Sequence, residues 1–107
     1  MEITLTIQSA GKNKWRLGLS TADSIEKFIH LESVKFILSI NLETDCNAVC
    51  GTSKKKAYDF NGKELSQWIT EMNYHKYPNR KPIRLIFNLT IKANKKTLTF
   101  ISKQNII

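Results

Sequence analysis

Glycine and proline are scarce in this chain of 107 residues: there are four glycines, none adjacent to another, and two prolines, Pro78 and Pro82. That scarcity excludes a glycine-rich phosphate loop, a collagen-like repeat and a low-complexity linker. Cysteine is limited to Cys46 and Cys50, too few for the disulfide framework of a small secreted domain. No run approaches the roughly 20 consecutive apolar residues that a membrane helix requires. The opening Met1-Glu2-Ile3-Thr4-Leu5-Thr6-Ile7 lacks the basic stretch and apolar centre of a signal peptide. These absences point to a cytoplasmic protein with reduced thiols and no membrane partner.

Negative charge is also in short supply. Nine Asp and Glu stand against 17 Lys and Arg, a formal net charge of +8. Such a balance favours acidic partners, whether protein or nucleic acid. Arginine is the better residue for bidentate phosphate and base contacts, yet only Arg16, Arg80 and Arg84 are arginines. The lysine excess therefore weakens the case for nucleic acid relative to an acidic protein. The abundance of Lys, Asn and Ile is that expected of an A/T-rich bacterial gene.

What is present suffices for one domain over residues 1–107. Apolar residues make up 41% of the chain, enough for a core without metal or disulfide staples, and the moderate charged fraction argues against disorder. Ile3, Leu5 and Ile7 alternate with Thr4 and Thr6, and Trp15, Leu17 and Leu19 alternate with Arg16 and Gly18. With the polar turn 9–14 between them these read as a β-hairpin. Residues 20–32 read as a short helix, opened by Ser20, Thr21 and Asp23 and carrying Ile25, Phe28 and Ile29. Val34, Phe36, Leu38, Ile40 and Leu42 alternate through one long strand. Residues 44–57 are a loop, or a loop with a short strand near Ala48–Thr52. Asn61 and Glu64 stand at capping-box spacing before an amphipathic helix with the stripe Leu65, Trp68, Ile69 and Met72. Residues 74–82 form a loop, and residues 83–92 and 97–101 form a second hairpin. The order β-β-α-β-(β)-α-β-β predicts an α+β fold: a two-layer sandwich of a mostly antiparallel sheet with two amphipathic helices on one face.

The sequence carries no specific catalytic signature. Cys46 and Cys50 are spaced C-x3-C, neither a redox C-x-x-C nor a zinc spacing with His30 or His75. No metal and no cofactor are expected. The carboxylates are better explained as helix-start and strand-end residues than as a metal-binding set. There is no G-x-S-x-G and no H-E-x-x-H. His30 and His75 with lysines would serve a metal-independent ribonuclease only if the fold brought them together.

Basic clusters with interleaved aromatics are the remaining signal. They are Lys54-Lys55-Lys56, Arg80-Lys81 with Arg84, and Lys95-Lys96 beside Lys92, with Lys12, Lys14 and Arg16 as a fourth. Tyr58, Tyr74, His75 and Tyr77 lie among them. The expected function is a non-catalytic protein-binding module that uses Lys54, Lys55, Lys56, Tyr58, Tyr74, His75, Tyr77, Arg80, Lys81, Arg84, Lys95 and Lys96 to engage an acidic partner. Toxin-neutralising immunity and inhibitor proteins are of this general kind. Two alternatives stand beside it: sequence-tolerant nucleic-acid binding through the same cations with tyrosine stacking, and the small ribonuclease.

Overall fold

The computed structural model describes residues 1–19, 33–50, 58–76, 83–93 and 95–104. The described residues form seven strands, β1 (Glu2–Ser9), β2 (Trp15–Leu19), β3 (Ser33–Ser39), β4 (Leu42–Cys50), β5 (Tyr58–Asn61), β6 (Arg84–Lys92) and β7 (Lys95–Gln104), and one helix, α1 (Lys63–Glu71), between β5 and β6. They close into a barrel in the order β1-β2-β5-β4-β3-β7-β6, with β6 returning to pair with β1. An odd number of strands cannot alternate in direction all the way round a ring. One junction must be parallel, and it is β3 against β7, where Phe36 pairs with Leu98.

This corrects the expected architecture. The sheet does not lie flat. It wraps on itself, so the inward faces of all seven strands build the core together and, among the described strands, no edge is left unpaired. The α+β sandwich is replaced by a mostly-β barrel that, among the described residues, carries one nine-residue helix across one end. The predicted first helix, and with it Asp23 and His30, lies outside the described residues. Both terminal hairpins stand where alternation places them, as β1–β2 and β6–β7.

The long central strand is two strands. The chain turns at Ile40 and Asn41, and Ser39 pairs with Leu42. The register shifts between Ile37 and Ser39, so even-numbered residues face inward on both sides of the turn: Val34, Phe36 and Leu38 on β3, and Cys46 and Ala48 on β4, are all buried. Alternation passes through the turn unbroken, which is why it reads as one strand. Ile40, on the same parity, is 99% exposed at the tip. The first half of the expected loop 44–57 is β4, which runs to Cys50, and residues 51–57 lie outside the described residues.

Phe36 sits at the centre of the barrel and meets Phe60 and Phe87 edge-on at 5.6 and 5.3 Å. From there an aromatic chain runs through Phe87 to Phe100 (5.6 Å), to Trp68 of α1 (4.9 Å) and to Tyr74 (5.4 Å from Trp68). The helix thus stoppers the barrel with Leu65, Trp68 and Ile69, all buried. Met72, the fourth residue of the predicted stripe, is about half exposed.

A left-handed residue ends α1. Asn73 takes φ 59°. Its N–H donates to the Thr70 carbonyl, and the Tyr74 N–H donates to the Ile69 carbonyl, both at 3.0 Å. That pair of bonds is the Schellman arrangement, which satisfies terminal carbonyls and directs the following apolar residue back onto the last turn. The residue so directed is Tyr74, onto Trp68.

Candidate functional site

The barrel has two ends. At the helix end lie the β1–β2 turn, the β3–β4 turn, α1 and the start of β6. At the far end lie the β6–β7 turn and the starts of β1, β3 and β5, with Tyr58 paired to Leu19 and Cys50. The cations predicted to form a binding face are divided between these ends. Arg84 is exposed at the start of β6, and the exposed Lys95 and partly buried Lys96 lie beyond its last residue, Lys92. Eight strand steps at about 3.3 Å separate Arg84 from Lys92, roughly 26 Å. Lys54, Lys55, Lys56, Tyr77, Arg80 and Lys81 lie outside the described residues. Tyr74 is buried, with Trp68 and Phe100 around it and the Lys103 ammonium 5.9 Å above its ring. Burial raises its hydroxyl pKa above the usual value. His75 is half-buried against the Trp15 ring at 5.5 Å.

The concave feature at the helix end uses other residues. A cleft of about 750 Å³ opens between the β1–β2 turn and the first turn of α1, above the adjoining ends of β4 and β5. Its cations are Lys14, Arg16 and Lys63, its carboxamides Asn13, Asn47, Asn61 and Gln67, and its aromatic ring Trp15. Among the described residues, no carboxylate, thiol or imidazole lines it.

Each wall has a local cause. Trp15 shares inward parity with the buried Leu17 and Leu19 but stands at the barrel's rim, where there is no further strand to cover it. Its backbone N–H donates to Ser66 Oγ of α1 at 3.0 Å, which fastens the hairpin to the helix. Arg16, one residue on, faces outward. Its Nε donates to Gln8 Oε1 on β1 at 3.3 Å, and its guanidinium lies 3.8 Å from Asp59 on β5. Gly18 makes that arrangement possible, because a side chain there would occupy the space of the Gln8 carboxamide. The arginine is therefore held in place by neighbours on both adjoining strands.

The floor is a pair of amides. Asn47 and Asn61 are cross-strand partners, and Asn47 Nδ2 donates to Asn61 Oδ1 at 3.4 Å. Asn61 is thus part of β5 and does not cap the helix. The cap position belongs to Gly62, which supplies no side-chain hydrogen bond. Glu64 sits in the positive first turn of α1, where a carboxylate is favourable. It accepts from Thr44 Oγ1 at 3.5 Å, outside the cleft lining.

The described lining offers cations, carboxamides and one aromatic residue, groups suited to binding. An activated nucleophile needs a base within reach and a third group to orient that base. The Ser66 hydroxyl accepts from Trp15, and His75 Nδ1 is buried with no hydrogen-bond partner. The cysteines do not supply a metal site between them: both lie on β4, four residues apart. Strand geometry puts their Cα atoms about 13 Å apart, beyond the reach of a disulfide or one shared ion. Cys46 itself is buried, and desolvation, with the charges of Asp45 and Glu64 adding to it, pushes its thiol up to about 12. No group of three His, Cys, Asp or Glu able to hold a metal occurs among the described residues. Nor is any described helix long and apolar enough to cross a membrane.

Sequence reasoning ranked Lys12, Lys14 and Arg16 last among the basic clusters, and the structure places two of those three in the cleft. The carboxamides carried no signal at all, since they come from positions 13, 47, 61 and 67. Compared with known protein families and characterised proteins, the chain matches none.

Proposed function

We propose that this protein is a non-catalytic binding module, cytoplasmic in setting, whose cleft at the helix end engages an acidic partner. One observation carries the reading: three cations and four carboxamides line a single cleft of about 750 Å³, and among the described residues no carboxylate joins them. Within a concave wall, cations of one sign add their fields and attract an anion from a distance. Asp59 lies beside Arg16 and tempers that charge without entering the lining. A volume of this order accommodates a ligand fragment or a protruding segment of a larger partner.

The test is fluorescence anisotropy with labelled polyphosphate, a plain polyanion, over a salt series. Lys14→Glu and Lys63→Glu are each expected to weaken binding about tenfold, because reversal removes one attraction and adds one repulsion. Lys92→Glu at the far end, an equal change in net charge, is expected to leave the affinity within a factor of two. Equal losses from all three substitutions would reduce the effect to overall charge and overturn the reading.

A further inference from the structure

We infer that the acidic partner is a single-stranded nucleic acid, one base of which stacks on Trp15 while its neighbouring phosphates meet Lys14, Arg16 and Lys63. The inference rests on the cleft being the binding site and goes beyond it by naming the ligand class.

The argument turns on which groups the cleft offers besides charge. An acidic protein face presents carboxylates, which only accept hydrogen bonds, and ammonium and guanidinium groups alone would satisfy them. The cleft devotes four of its eleven lining residues to Asn or Gln, side chains that both donate and accept. Nucleobase edges present donors and acceptors together, and carboxamides pair with them in kind. The Asn47–Asn61 bond uses one donor and one acceptor of that pair, leaving a donor on Asn61 and an acceptor on Asn47.

The aromatic ring supports the same ligand. Every base has a π-face, so stacking on a side chain is sequence-tolerant. Trp15 lines the cleft, its backbone N–H is fastened to Ser66, and its ring is backed by His75 at 5.5 Å. A ring so held loses little freedom when a base lies on it. Duplex is disfavoured by size: a double helix exposes only base edges in grooves, whereas a cleft between one hairpin turn and one helix turn admits an unstacked base.

The test compares three ligands on the unaltered protein at matched length: oligo(dT), the same oligomer with abasic sites throughout, and oligo-glutamate. Oligo(dT) is expected to bind with a salt slope near −2, about −0.7 for each of three phosphates. The abasic strand keeps the phosphates and is expected to bind about tenfold more weakly for want of stacking. Trp15→Phe keeps a ring and is expected to retain most of the difference between the two strands, whereas Trp15→Ala is expected to abolish it. Equal binding of the abasic strand and oligo(dT) would overturn the inference and leave the anion-binding cleft standing. Preference for oligo-glutamate, lost in Lys63→Glu, would overturn it in favour of a protein partner. Binding of no polyanion in a manner dependent on Lys14 and Lys63 would remove both the inference and the function beneath it.

Discussion

The two ends of the barrel carry the same sign of charge and differ in everything else. At the far end, Lys92, Lys95 and Lys96 surround a tight turn in which Ala93 is forced to φ 46°, and Ile91 is 56% exposed beside them. Lys92 and Lys95 are exposed there, and their charges project into water, where each is weakly felt. At the helix end, Lys14, Arg16 and Lys63 border a cleft whose walls are a hairpin, a helix turn and two paired amides. Arg16 in addition is held by Gln8 and Asp59. The difference teaches that a basic cluster becomes a candidate site through enclosure and positioning.

The sharpest way to break this comparison is to remove the stopper. Trp68→Ala deletes the ring that joins Phe100 to Tyr74, both in contact with it, and chemical denaturation is expected to show a loss of about 3–5 kcal/mol. Ile91→Ala at the far end is expected to stay within about 0.5 kcal/mol. Similar costs for the two would mean that the helix is not what closes the core.

Alkali probes the same end by another route. Cys46, whose Sγ lies beneath Gly62 at the start of α1, is protonated in the native state up to about pH 12 and in the unfolded chain only to about 9. The native state thus binds a proton that the unfolded chain has released. Stability from this group is complete below pH 9 and is lost as pH rises from 9 towards 12, with a slope of at most about 1.4 kcal/mol per pH unit. The raised hydroxyl of Tyr74 acts in the same direction. Urea denaturation of Cys46→Ala across that range is expected to give a visibly flatter profile, and an unchanged slope would place the effect elsewhere.

A smaller pair of changes sharpens the contrast between two of the left-handed residues, one at each end. Asn73 is well suited to φ 59°, and Ala93 is poorly suited to φ 46°. Asn73→Ala is expected to lower stability by about 1 kcal/mol, because it leaves the end of α1 strained. Ala93→Gly is expected to raise it by a few tenths to about 1 kcal/mol, since strain relief there exceeds the added entropy of the unfolded glycine. Thermal denaturation of the two single variants distinguishes the signs.

The terminal hairpins were legible in the sequence because Ile3, Leu5 and Ile7 and then Leu85, Phe87 and Leu89 keep strict alternation and all become buried. The stripe Leu65, Trp68 and Ile69 was legible for the corresponding reason at helical spacing. Alternation failed where it did not break, at Ile40, since a register shift preserved parity across a turn. Closure was invisible altogether: it depends on the β3–β7 and β1–β6 pairings between segments some sixty and eighty residues apart, and no local pattern records them. The cleft was hidden for a related reason. Its residues lie in three separate stretches, and Asn61, read as a helix cap, takes part instead in a strand pair whose partner is Asn47.

The single parallel junction has a bearing on how the chain reaches this form. β3 cannot find its second neighbour until Lys95–Gln104 has been made, and β1 must likewise wait for Arg84–Lys92. Contacts between such distant segments close slowly, because the loop entropy is lost before the contacts form. As the chain is synthesised, β1 to β5 therefore stay open-sided until the β6–β7 hairpin follows them, and that hairpin seals the ring. That late hairpin ends the interval in which an unfinished sheet can pair with its neighbours.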